Sequence, residues 1–137
     1  MFSGEMIVRN MSFTEGQTLT IVGVPNSSAK QFAVNICPNK DDIALRINPR
    51  FTVPNYKKTV VFNSRQGDSW GQEINIPNSP FIEGKEFEIF IKFNHNGFVV
   101  QLPNSQQVEL KNALKKDNYS IITFDGDVRI QSIEINQ

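Results

Sequence analysis

Cysteine, histidine and tryptophan occur once each in this chain, at Cys37, His95 and Trp70. A lone cysteine excludes an internal disulfide and a cysteine-only metal site, and one histidine beside it leaves no ligand set for zinc. No nucleophile is paired with a base in the sequence, so an enzyme is not expected. His95 reads as a solvated turn residue and Cys37 as a small core or edge residue. Charge of one sign is lacking too. Fourteen Lys and Arg balance fourteen Asp and Glu, without the basic cluster that marks nucleic-acid binding. No run of about 20 apolar residues offers a membrane span. Nor is there the charged start, apolar stretch and cleavage site of a secretory leader. Cytoplasmic synthesis is therefore expected, with any export to the extracellular space by a non-classical route. On that expectation the Asn-x-Ser patterns at Asn10, Asn26 and Asn118 are chance matches.

What is present is apolar content in short alternating runs. The 137 residues suit one domain over 1–137, 39% hydrophobic with eleven Phe, and a chain of this size buries about two-thirds of its unfolded surface. Phe87, Ile89, Ile91 and Phe93 face one way and Glu86, Glu88 and Lys92 the other, with Phe90 out of pattern; the period of two is that of a half-buried strand. The turn Asn94-His95-Asn96-Gly97 then returns the chain through Phe98 to Leu102 as a hairpin. Phe32, Val34 and Ile36 alternate, as do Ile43, Leu45 and Ile47. Near the C-terminus Val128 and Ile130 share a phase, but Ile133 and Ile135 are shifted by one, which predicts a bulge at Gln131-Ser132. Turn signals such as Pro25-Asn26, Pro38-Asn39, Pro54-Asn55, Pro77-Asn78 and Asp125-Gly126 punctuate the chain. The pattern predicts an all-β antiparallel sandwich, with a helical turn around Lys111 to Lys115 at most.

The middle strands carry the chemistry. Opposite Ile43, Leu45 and Ile47 lie Ala44, Arg46, Asn48 and, beyond Pro49, Arg50. In the next run Val60 and Phe62 share one face, Val61 and Asn63 the other. In the third, Ile74 and Ile76 oppose Glu73 and Asn75, with Trp70 at the rim. Sequential strands are usually neighbours, so the polar faces form one patch. The plain alternative is the solvated outer face of a sandwich. Against it, Asn48, Asn63 and Asn75 are poor strand formers, and Arg50 beside Glu73 makes a carboxylate-braced donor fork. Such forks beside a flat aromatic plate are what a sugar ring requires: donors and acceptors for its hydroxyls and an apolar surface for its C–H face. Glu73 with Asp68 as a glycosidase pair is a weaker reading than a bracing carboxylate and a turn Asp.

At these residues the sequence resembles the galectins, the leaderless β-galactoside-binding lectins, over essentially its whole length. The family's His-x-Asn-Pro-Arg, Val-x-Asn and Trp-x-x-Glu-x-Arg read here as Arg46-Ile47-Asn48-Pro49-Arg50, Val61-Phe62-Asn63 and Trp70-Gly71-Gln72-Glu73-Ile74-Asn75. The opening Val8 to Phe13 and Gly16 to Ile21, and the closing Gly126 to Ile130, fit the single-domain, congerin-like type of fish and other vertebrates. The resemblance implies a jelly-roll sandwich in which Asn48 and Arg50 hold galactose's axial 4-hydroxyl and ring oxygen. It implies that Asn63 and Glu73 bind the 6-hydroxyl, that Glu73 braces the Arg50 fork, and that Trp70 stacks on the ring. Two positions depart: Arg46 stands for the family's His, and Asn75 for its final Arg. Pro54 and Tyr56 also stand where many relatives have His and Asp.

Arg46 is longer than His and always charged. It either reaches the 4-hydroxyl, crowds galactose, or pairs with Glu73 in place of the missing Arg. The expectation is a lectin with weakened β-galactoside binding that accepts mannose- or glucose-type sugars. No cofactor or metal is implied; the partners are glycans and a second copy, since single-domain galectins commonly pair through their terminal strands. The alternative is a galectin-fold structural or protein-interaction module that has lost lactose binding.

Overall fold

The computed structural model describes residues 5–137 as antiparallel strands, with no helix among them. In chain order the strands are β1 (Met6–Val8), β2 (Phe13–Thr14), β3 (Thr18–Pro25), β4 (Phe32–Cys37), β5 (Ile43–Arg50), β6 (Thr59–Gln66) and β7 (Ser69–Trp70). They continue as β8 (Ile74–Ile76), β9 (Phe87–Asn94), β10 (Gly97–Gln101), β11 (Gln107–Lys111), β12 (Asn118–Tyr119), β13 (Ile121–Gly126) and β14 (Val128–Asn136). One sheet runs β1-β13-β4-β5-β6-β7, with β8 also on β6; the other runs β11-β10-β9-β3-β14, and β12 pairs with β2.

Alternation explains the layering. The long strands turn a row of apolar side chains inward, and the two sheets bury those rows against each other. From the sheet holding β5 and β6 come Phe32, Val34, Ile36, Leu45, Ile47, Val60 and Phe62; from the other come Leu19, Ile21, Ile89, Ile91, Phe93 and Phe98. Phenylalanines knit the two together: Phe32 stacks on Phe87 at 5.3 Å between ring centroids, and Phe81 meets both edge-on. The predicted hairpin is present, with Phe93 opposite Phe98. The C-terminal slip is also present, as a register shift between Ile130 and Ser132.

Two expectations are corrected. Ile43 does not share a face with Leu45 and Ile47. It pairs with Arg65, whereas Arg46 pairs with Asn63, so β5 has one extra residue between them. The bulge turns Ala44 into the core and leaves Ile43 on the opposite face, beside Arg46 and Trp70. The second concerns Lys111 to Lys115, which is the end of β11 followed by a turn, not a helix. Lys115 is left-handed at φ 57°, and the Asn112 amide donates to the Lys116 carbonyl at 2.8 Å, closing the loop locally.

Candidate functional site

The face of β5, β6, β7 and β8 turned away from the core carries the polar residues in cross-strand rows. Arg46 lies opposite Asn63, Asn48 opposite Val61 and Val61 in turn opposite Asn75, and Arg65 opposite Trp70. Of the residues singled out from the sequence, Arg46, Asn48, Arg50, Val61, Asn63, Trp70 and Asn75 thus fall on one sheet, and Glu73 lies in the segment that leads into β8. Trp70 is 49% exposed. Behind it the chain passes close to β6: a Cβ on Gly71 would lie 2.9 Å from Ser64 Oγ and 3.3 Å from Asn63 Oδ1. Glycine is the residue that fits this approach.

Each side chain has its own partner. Asn48 is 1% exposed; its amide donates to the Phe32 carbonyl at 2.6 Å and to Gln31 Oε1 at 3.3 Å. Its Oδ1 accepts from Arg50 Nε at 2.8 Å. The Arg50 guanidinium lies over the Tyr56 ring, 4.2 Å from its centroid, a cation–π contact. Asn63 Oδ1 accepts from the Ser64 N–H at 2.8 Å, and Asn75 donates to Glu73 Oε2 at 3.0 Å. Val61 is buried between these rows.

The expected Arg50–Glu73 brace is therefore replaced. No ion pair joins them among the described residues. Asn75, shorter and neutral, satisfies Glu73, and Tyr56 supports Arg50 instead. Nor does Arg46 turn to Glu73. Its Nη1 donates to Asn35 Oδ1 at 3.0 Å and pairs with Asp125 Oδ2 at 3.3 Å, which draws the side chain across β4 toward β13.

A groove of about 460 Å³ opens on that side, lined by Asn35, Ile43, Arg46, Arg65, Trp70 and Asp125 among others. Two cations lie near the indole, with Arg46 Cζ 5.9 Å and Arg65 Cζ 5.4 Å from its ring centroid. Arg65 Nε is buried with no hydrogen-bond partner. Cys37 also lines the groove, and burial pushes its thiol up to about 11, so it stays protonated at neutral pH. Beside the same groove, Asp42 accepts from the Gly67 N–H at 2.8 Å and from the Asn39 amide at 3.0 Å. These bonds hold its carboxyl below the usual range and tie the turn before Trp70 to the one before β5.

Sequence reasoning missed Asn35, Arg65, Thr123 and Asp125. One signal was available: Asn35 is the only polar residue in the run Phe32–Cys37, all of it buried. Asp125 was legible only as half of a turn.

A family profile described as galactoside-binding lectin matches residues 4–135. The chain belongs to this family, the galectins. It is 39% identical to a β-galactoside-binding lectin of Electrophorus electricus over 95% of this chain and 96% of the relative. A solved galectin-1-L2 of Danio rerio superposes with TM-score 0.91 at 43% identity, covering 94% of this chain and 98% of that one. Lactose- and MES-liganded congerin II superposes with TM-score 0.91 at 32% identity, covering 96% and 99%. The family and these relatives are lectins, not enzymes.

Proposed function

We propose that this galectin binds glycans at the Trp70 face with a non-standard preference: β-galactosides weakly, and sugars with an equatorial 4-hydroxyl, of the mannose or glucose type, in addition. The observation that carries the reading is the pairing of Arg46 with Asn35 and Asp125. It takes the side chain at the family's His position toward β13. Asn75 at the same time removes the family's final Arg. Losing one hydrogen bond to a buried partner costs about 1–3 kcal/mol, roughly 5- to 150-fold in affinity. Two such losses fall on lactose, while Trp70, Asn63 and Glu73 remain for the rest of the ring.

Single sites of this strength become useful through multivalency. The chain acts as a homodimer that crosslinks glycoconjugates and agglutinates cells, outside the cell after non-classical export. The relatives support a galactoside ligand: one is named for β-galactoside binding and another was solved with lactose.

The test is titration calorimetry against lactose and methyl mannoside, with a glycan array for breadth. Ordinary micromolar-range lactose affinity refutes the altered preference. Arg46→His with Asn75→Arg strengthens lactose binding; no gain assigns control to the loop around Pro54 and Tyr56. The second reading, a protein-interaction module without sugar binding, is favoured by the same two departures and opposed by the exposed indole. A blank glycan array would select it.

A further inference from the structure

Arg46 is held by a closed polar network spanning β4, β5 and β13. Asn35 is 2% exposed, and its amide nitrogen donates to Thr123 Oγ1 at 3.0 Å and Asp125 Oδ2 at 3.1 Å. Those acceptors orient the amide so that its oxygen faces Arg46 Nη1 at 3.0 Å. Asp125 Oδ2 also receives Nη1 at 3.3 Å, so one carboxylate oxygen anchors both neighbours. The base of the network is closely packed. Gly126, at φ 89°, would place a Cβ 2.6 Å from the Gln31 carbonyl oxygen, so β13 lies close against the chain entering β4. Both bonds of Arg46 leave through Nη1. Its Nε and Nη2 keep their N–H groups, and the guanidinium carbon stands 5.9 Å from the Trp70 ring.

We propose that Asp125, acting with Asn35, is the positioning residue that sets this site's discrimination between sugars differing at C4, by holding Arg46 against β4 and β13. The inference rests on the sugar-binding reading above. With the carboxylate in place, the guanidinium is kept from swinging over the ring position where an axial 4-hydroxyl would meet it. Without it, a five-donor group on a flexible stem is released to make that contact. Asp125 touches Arg46 and Asn35 and acts through them.

The experiment titrates lactose and cellobiose, whose terminal rings differ only in C4 configuration, into the full chain, Asp125→Ala, Arg46→Ala and the double variant. Asp125→Ala shifts the affinity ratio toward lactose by about 5-fold or more, the worth of one hydrogen bond. In the Arg46→Ala background the same change moves the ratio by less than about 2-fold, because the group it positions is gone. Asp125→Asn, which keeps the shape and loses the charge, shifts the ratio in the same direction. Nitrogen-15 spectra of the ligand-free protein add an independent readout: hindered rotation of the Arg46 guanidinium, lost in Asp125→Ala. Equal shifts with and without Arg46, no shift, or a freely rotating Arg46 in the unaltered protein overturn the proposal. Binding of neither sugar overturns this proposal, and with a blank glycan array it overturns the sugar-binding reading too, whereas binding with equal shifts overturns this one alone.

Discussion

At Asn48, the proposed sugar contact and stability meet in one side chain. Its amide is committed to the Phe32 carbonyl across β4 and its oxygen to Arg50 Nε, and it is almost wholly buried. Asn48→Ala leaves a buried carbonyl and a guanidinium N–H without partners, at a cost of about 2 kcal/mol or more. Glu73, by contrast, is exposed, and its only side-chain hydrogen bond among the described residues is with Asn75, so Glu73→Ala stays within about 0.5 kcal/mol. Urea midpoints separate the two: a clear drop for Asn48→Ala and almost none for Glu73→Ala, although both residues belong to the family's signature motifs. Equal midpoints would mean that Asn48 only binds ligand. This division of labour was not legible in the sequence, where both residues carry the same family signature. Alternation put Arg46, Asn48, Asn63 and Asn75 in neighbouring rows of one sheet, as the local pattern predicts. The partners did not follow. Asp125 lies 79 residues from Arg46, and nothing local to Arg46 points to it. Tyr56 was visible as a departure from the family, but its support of Arg50 depends on how a loop folds back.

At the level of elements, the hairpin β9–β10 and the bulge in β14 were readable because an apolar phase was either sustained or visibly switched. The bulge in β5 was not readable, because Ile43, Ala44 and Leu45 are all apolar and every phase fits them. The tightest constraint in the hairpin is Gly97, at φ 142°, where a Cβ would overlap the Leu110 carbonyl oxygen. Gly97→Ala must push β10 away from β11 and is expected to cost about 3 kcal/mol or more. Gly67, at φ 59° with open space around it, pays only left-handed strain, so Gly67→Ala costs about 1 kcal/mol. Thermal melts of the two variants check the order; a Gly67→Ala loss as large as that of Gly97→Ala would show that φ, not space, sets the cost. Gly67 precedes Trp70 and donates its N–H to Asp42, so its variant also tests whether that turn must be rigid for the indole to bind sugar.

At the scale of the molecule, the proposed crosslinking needs a second site, and the sheet edges are where a second copy fits. The first and last strands, β1 and β14, are each the edge of their sheet. Edge strands expose unpaired backbone groups that template another strand unless charge or a bulge blocks them. On β1, Met6 is 43% exposed, an apolar side chain on an open edge and not among the residues that line the groove. A lysine there adds a charge that strand pairing would have to bury. Met6→Lys is therefore expected to convert a dimer to a monomer in sedimentation equilibrium and to lower agglutination titre by about 10-fold or more. Binding of a monovalent sugar, measured by calorimetry, should stay within about 2-fold, because the Trp70 face is untouched. A persisting dimer places the pairing on another surface. Loss of monovalent binding along with agglutination would instead couple β1 to the groove, since Ile7, the next residue, lines it. Separating valency from affinity in this way decides whether weak sites on this fold act singly or in pairs.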